Sequence, residues 1–331
     1  MKKFIFLLVT MMMPIELQAA HPETKFWGFQ LENDSFTSGN DSFYTHGTQI
    51  SFSSTGDAPF FVKKIIDTLP FYRSSEVSIY SFSLGQKIFT PEDTEARNPM
   101  TNDRPYAGWA YLQTGTAHLF KGKGNSDWFN GFGLAFGMIG PSSLAKETQR
   151  DFHKLIGVDV PQGWDSQLHD EPGVIFTYIR KYRQIFNLQK TLQTELSYHG
   201  GGTLGNIYVY ASNGFMVRCG THLGNDIGPP TISPGLPGLP AFKPFSNFSW
   251  YAFAGAEGRA IVRNIFLDGN TFRNSHSVNK KTFVADLQIG IAFHYKNFRI
   301  SICDMFRSKE FEGQPKQTHY GAINLTYYFA Q

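Results

Sequence analysis

Period-two alternation of apolar and polar residues recurs along this chain. After the first twenty residues nothing approaches the roughly 20 consecutive apolar residues that a spanning helix needs. In His319–Phe329, Gly321, Ile323, Leu325, Tyr327 and Phe329 fall on one face, with the more polar Tyr320, Ala322, Asn324, Thr326 and Tyr328 on the other. Phe283–Tyr295 sets Phe283, Leu287, Ile289, Ile291, Phe293 and Tyr295 against Asp286, Gln288 and His294. Phe26–Asp34 sets Trp27, Phe29 and Leu31 against Gln30, Glu32 and Asp34. A strand with one apolar face must bury it, either in a protein core or in lipid.

The N-terminus and the composition favour lipid. Lys2 and Lys3, the apolar run Phe4–Ile15 and Leu17-Gln18-Ala19-Ala20 read as a secretory signal peptide over residues 1–20. Charged residues make up only 17% of the chain, against about 25% in an ordinary soluble domain. Aromatics reach 16%, with 32 Phe and 15 Tyr, a load that excludes a disordered chain and does not suit a helix-rich cytosolic enzyme. A net charge of +3, spread along the sequence, gives nucleic acid little to hold. Two cysteines, Cys219 and Cys303, are too few for a disulfide scaffold or a structural zinc site, and whether they pair stays open.

The alternation predicts strands over 26–34, 44–53, 77–88, 107–119, 128–139, 172–186, 191–200, 206–222, 249–262, 283–295, 298–308 and 319–329. Twelve is an even number, as bacterial barrels require. The expected fold is all-β: a twelve-stranded antiparallel transmembrane β-barrel formed by residues 21–331, monomeric, in the outer membrane of a Gram-negative bacterium. The proline-rich stretch Gly224–Pro244 cannot form ladder pairs and is expected to be a long extracellular loop.

One segment breaks the pattern. Gly140-Pro141-Ser142-Ser143 opens like a helix, with a Ser cap, Pro near the start and Glu147 in the first turns, and Gly157 is placed to end it. Gln149 and His153, four apart, share one face. That face could serve a catalytic site or only the core of a small plug. A second cluster, Glu32-Asn33-Asp34-Ser35 with Asp41-Ser42-Phe43-Tyr44-Thr45-His46-Gly47, offers the oxygens a hard cation takes, although Asx-rich turns look the same. A third, Asn102-Asp103-Arg104-Pro105, leads into a strand.

In this order the clusters resemble the outer-membrane lipid A 3′-O-deacylases, a calcium-dependent family of twelve-stranded barrels. The resemblance rests on Glu32-Asn33-Asp34, Tyr44-Thr45-His46-Gly47, Asp103-Arg104, Gln149…His153-Lys154-Leu155-Ile156-Gly157 and Gly163-Trp164-Asp165…Gln167. It continues through Gly258-Arg259-Ala260, Leu267-Asp268-Gly269-Asn270-Thr271-Phe272 and Phe306-Arg307-Ser308-Lys309-Glu310-Phe311. By resemblance, Asn33, Asp34, Thr45, Gln149 and His153 are the expected catalytic residues, and Ca²⁺ is expected at Asp34 and Asp159. Arg97 matches one member of a family Lys–Arg pair, with Ala96 at the other position. Arg97 and Arg104 are the expected contacts to the lipid A of lipopolysaccharide, with outer-membrane lipids as surroundings.

The residues permit this chemistry without the family. There is no Gly-x-Ser-x-Gly elbow, so a hydrolase serine has no support. A neutral His153 can instead activate water, and a Ca²⁺ ion can polarise an ester carbonyl. The alternatives are an outer-membrane phospholipase and a non-enzymatic barrel, either a pore or a surface protein.

Overall fold

The computed structural model describes residues 24–36, 43–55, 64, 77–98, 100–229, 242 and 245–330, so the expected signal peptide lies outside the described residues. The strands are β1 (Thr24–Asn33), β2 (Phe43–Thr55), β3 (Val77–Thr90), β4 (Ala107–Lys121), β5 (Ser126–Ile139) and β6 (Glu171–Asn187). They continue as β7 (Leu192–Gly205), β8 (Tyr208–Thr221), β9 (Phe245–Asn264), β10 (Phe283–Lys296), β11 (Phe298–Arg307) and β12 (Thr318–Ala330). Each pairs antiparallel with its neighbour in sequence, and β1 closes the ring on β12 from Thr24↔Ala330 to Asn33↔Gly321. Closure leaves no sheet edge, which is the condition for strands to cross hydrocarbon. β7 runs beyond its expected end because the ladder carries it through Gly200-Gly201-Gly202, where a Cβ on Gly201 or Gly202 would strike a backbone carbonyl of the adjacent strand.

The two faces have opposite chemistry. Trp27, Phe29, Ile50, Leu287, Ile289, Ile300 and Ile302 are exposed on the outer wall. In water such a surface would drive association, whereas lipid satisfies it. The inner face buries charges in pairs: Arg183 reaches Asp127 at 2.7 Å, Arg259 reaches Asp286 at 2.7 Å, and His199 meets Glu257 at 2.9 Å. Tyr44, Phe89, Trp109, Tyr111, Tyr251 and Tyr320 interleave with them. Among the described residues the lumen is thus filled by paired charges and aromatic rings, an arrangement that does not suit a conducting pore.

By alternation Cys303, between the outward Ile302 and Asp304, points inward, whereas Cys219 lies between the inward Arg218 and Gly220 and points out. Two strands separate β8 from β11, so the thiols cannot meet, and both are free. Thiol titration in denaturant without reductant should therefore find 2 reactive groups per chain, and a lower value would contradict this geometry.

The helix α1 spans Ala145–Ile156, between β5 and β6. Its start departs from expectation. Pro141–Ser143 form a separate 3₁₀ turn, and Leu144, left-handed at φ 58°, reverses the chain before the helix begins. Neither serine caps α1: Ser142 donates its N–H and hydroxyl to Asp170, and the Ser143 hydroxyl donates to Gly140 O. Gly157 does end the helix, at φ 75°, with its N–H returning to His153 O. A second helix, α2 (Ile265–Asp268), was not expected. Its buried Phe266 stacks on Phe89, with ring centroids 4.0 Å apart.

The expectation for Gly224–Pro244 is corrected as well. Residues 230–241, 243 and 244 of it lie outside the described residues, but the connection from β8 to β9 belongs to the barrel end where β1 begins and β12 ends, opposite the end that carries α1. Asp226 and Phe242, two of its buried described members, fold back into the barrel mouth: Asp226 accepts from Tyr251 Oη at 2.7 Å, and Phe242 packs beside Phe26. Proline forbids ladder pairing but does not select an end, which is set by the number of strands already crossed.

Candidate active site

Strand parity decides where the first cluster points. On β1 the even positions Phe26, Gln30 and Glu32 are buried inward, and the odd ones, Trp27, Phe29 and Leu31, face out. Asn33 shares the outward parity, at the rim. Opposite it in register stands His46. A register shift at Tyr44/His46 turns Tyr44 inward, where its hydroxyl donates to Glu32 at 2.8 Å, and keeps His46 on the outer side with Thr48 and Ile50.

The helix packs on β3 and β4 beside this wall. Gly108 of β4 makes the approach possible, since a Cβ there would overlap Ala145 and Ser143. With α1 seated, Gln149 and His153 are buried, while Phe152, Leu155 and Ile156 on its other side remain exposed. A cleft of about 560 Å³ lies between wall and helix. Asn33, Thr45, His46 and Ile88 line one side, Gln149, Phe152, His153, Ile156 and Asp159 the other, with Glu92–Glu95 of the β3–β4 loop and Lys316 at the rim.

Hydrogen bonds fix which atom each group presents. His153 Nδ1 lies 2.5 Å from the carbonyl oxygen of Asp159. A carbonyl only accepts, so Nδ1 carries the proton and the neutral ring has its lone pair on Nε2. His46 has the opposite arrangement. Asn33 Oδ1 accepts the N–H of Ser35 at 2.8 Å, which turns its amide Nδ2 toward His46 Nδ1 at 3.4 Å. Nδ1 of His46 is then the acceptor, and Nε2 donates to Thr48 Oγ1 at 2.6 Å. The lone pair of His46 is already engaged.

Gln149 is held from behind. Trp164 Nε1 donates to Gln149 Oε1 at 2.8 Å, leaving the amide nitrogen as the end that donates. Trp164 is 2% exposed and packs on Tyr106, with centroids 5.0 Å apart. Thr45 shares a 2.7 Å hydroxyl contact with Thr90. Three orienting groups thus carried no assigned role in the sequence reading: Trp164, Thr90 and the backbone of Asp159. A buried tryptophan in a glycine-led turn was the one legible signal.

Asp34 follows Asn33 in a short turn, Asp34–Phe36, and is buried. The neighbouring side-chain donors, Asn33, Ser35 and Thr45, are oxygens of the hard kind that Ca²⁺ takes. Among the described residues no three His, Cys, Asp or Glu cluster, so a cation here would need neutral oxygens beside the carboxylates of Asp34 and Asp159. Asp34 itself is buried behind the cleft surface and is not among the residues that line it, whereas the exposed Asp159 lines it directly.

The two expected lipid A contacts lie elsewhere. Arg97 is exposed on the β3–β4 loop beyond the cleft lining. Arg104 is not brought to the cleft at all: it is buried, over the Phe89 ring at 4.7 Å and paired with Glu310 at 3.4 Å. Asp103 sets this course by capping the N–H of Glu92 and of Arg104, both at 2.7 Å, which turns the chain into the barrel mouth.

A family model described as Outer membrane protein LpxR matches residues 4–329. The solved structure of LpxR from Salmonella typhimurium is 18% identical, covers 92% of this chain and 100% of its own, and aligns with a TM-score of 0.74, which establishes the likeness of fold. The beta domain of the Bordetella autotransporter Brka is 10% identical over 93% of this chain and 98% of its own, at a TM-score of 0.45. The KdgM porin is 8% identical over 92% and 99%, at 0.39. No curated protein matches the sequence. A closed twelve-stranded barrel whose sequence fits one family model over nearly its whole length places this chain in the Outer membrane protein LpxR family, resident in the outer membrane.

Proposed function

We propose that this barrel is a lipid A deacylase that hydrolyses the ester of the 3′-linked acyloxyacyl group, with His153 as general base. The observation that carries this reading is the cleft between the barrel wall and α1, which Gln149 and His153 line together with Asn33 and Thr45. Nε2 of His153 takes a proton from water. The water oxygen attacks the ester carbonyl carbon, and the proton passes to the departing sugar oxygen, giving a free acid and a sugar hydroxyl. The Gln149 amide nitrogen donates to the oxygen on which charge develops. Ca²⁺, when held at Asp34 with oxygens from Asn33, Thr45 and Asp159, supplies positive charge that polarises the ester carbonyl. Ile88, Phe152, Ile156 and Val158 give the cleft its apolar lining, which excludes water from the acyl side. Arg97, on the loop beside the cleft, is the residue we assign to a lipid A phosphate.

Mass spectrometry of lipid A from cells with and without the gene tests the reading: the acyloxyacyl mass should be lost only where the gene is present. Unchanged lipid A together with fatty acid released from glycerophospholipid would replace the deacylase with a phospholipase. Two variants follow from the hydrogen bonds. His46→Asn should keep most activity, because the lone pair of His46 is already accepting from Asn33. Trp164→Phe should lower kcat about tenfold, the worth of one hydrogen bond that orients Gln149. Equal loss in both variants would remove the distinction between a competing and a positioning group.

A further inference from the structure

On the other flank of α1 a second depression of about 590 Å³ opens at the same end of the barrel. Its wall alternates charge and polarity. Lys146 donates to Asp165 at 2.6 Å, Glu147 stands beside them, and Ser166, Gln167, His169, Ser275 and His276 complete the polar lining. Two carboxylates weigh against a bare phosphate, and a lining this polar does not suit an acyl chain. Closely spaced donors and acceptors of both kinds are what the hydroxyls of a sugar require. One acceptor is uncommitted: Gln167 lines the depression, and its Oε1, shielded from solvent, has no hydrogen-bond partner among the described residues. Buried acceptors are ordinarily satisfied, so turning the Gln167 side chain toward a hydroxyl in the depression would break no hydrogen bond of its Oε1.

The depression also touches the cleft through one side chain. Trp164 lines it, and the indole N–H of Trp164 holds Gln149 Oε1 in the cleft at 2.8 Å. A ligand seated here would brace Trp164 and, through it, the amide that donates to the developing oxyanion.

We propose that this depression is a saccharide subsite, which takes the hydroxyls of the sugar portion of a lipopolysaccharide whose acyl group lies in the cleft. Trp164 is then a positioning residue between sugar recognition and the cleft. The inference rests on the deacylase reading for its substrate, but the subsite can be tested apart from it.

The experiment compares kcat/KM of the purified barrel for lipopolysaccharide bearing its core sugars with that for lipid A freed of the core by mild acid, in the same detergent micelles. The parent should favour the sugar-bearing substrate. Gln167→Leu and His169→Ala should raise KM for that substrate roughly tenfold, about one well-made hydrogen bond, and so erase the preference. Equal cleavage of both substrates by the parent, or variants that depress both in proportion, would overturn the subsite. If the parent cleaves neither, the deacylase reading has failed, and saturation-transfer NMR with the released core oligosaccharide decides the subsite alone. Binding that is lost in Gln167→Leu supports it, and absence of binding to the parent removes it.

Discussion

His153→Asn is expected to abolish release of the acyl group, a loss on the order of 10²–10⁴ in rate, while the barrel stays folded. The side chain of Asn can still donate from its amide to the Asp159 carbonyl, so the turn after α1 keeps its hydrogen bond. What it lacks is a nitrogen lone pair that can take a proton from water. Folding should be indifferent, because the ring sits in a surface cleft and the barrel is held by twelve antiparallel ladders. Activity is read by mass spectrometry of lipid A, and folding by heat-modifiable migration on a gel. A folded variant with parental activity, beside an inactive His46→Asn, would transfer the base to His46.

Chelation of divalent cations should cause a loss of similar size, reversed by Ca²⁺ and not by zinc. The reason lies in the donors: the buried Asp34 carboxylate with amide and hydroxyl oxygens of Asn33, Ser35 and Thr45 suits a hard cation. Asp34→Asn keeps the volume and an oxygen but removes the charge, and should leave the protein inactive at any ordinary Ca²⁺ concentration. Asp159→Asn should cost less, since its exposed carboxylate adds to the site from the cleft side and its backbone still orients His153. Full activity of the parent in excess chelator, with Asp34→Asn equally active, would take the metal out of the reaction.

The strands were legible because lipid and lumen impose a period of two that local sequence must carry. Leu287, Ile289 and Val284, Asp286 sort to opposite faces of β10 as the alternation requires. Ends were less legible. Gly200–Gly202 read as a strand terminus, yet cross-strand bonds to β6 and β8 hold them in the ladder. The helix was placed correctly by Gly157 but begun too early, because no sequence rule foresees a leucine at φ 58° between two helical turns. The end of the barrel to which the β8–β9 connection belongs could have been counted from the eight strands before it.

The candidate site divides the same way. The four-residue spacing of Gln149 and His153 put both on one helix face, and the order of Asn33, Thr45 and His46 along two strands put them near one rim. Those are local periodicities, and the sequence determines them. Which ring nitrogen of each imidazole carries the proton was decided by the Asp159 carbonyl and by the Asn33 amide, and Arg104 was drawn into the mouth of the barrel by Glu310, 206 positions away. Trp164 became part of the site only when its turn folded under α1 and met Gln149. Periodicity records which face a residue takes, but hydrogen-bond partners are supplied by segments that meet only once the twelve strands close and the rim loops pack against one another. That is why tertiary structure alone decided the protonation pattern and the membership of the cleft.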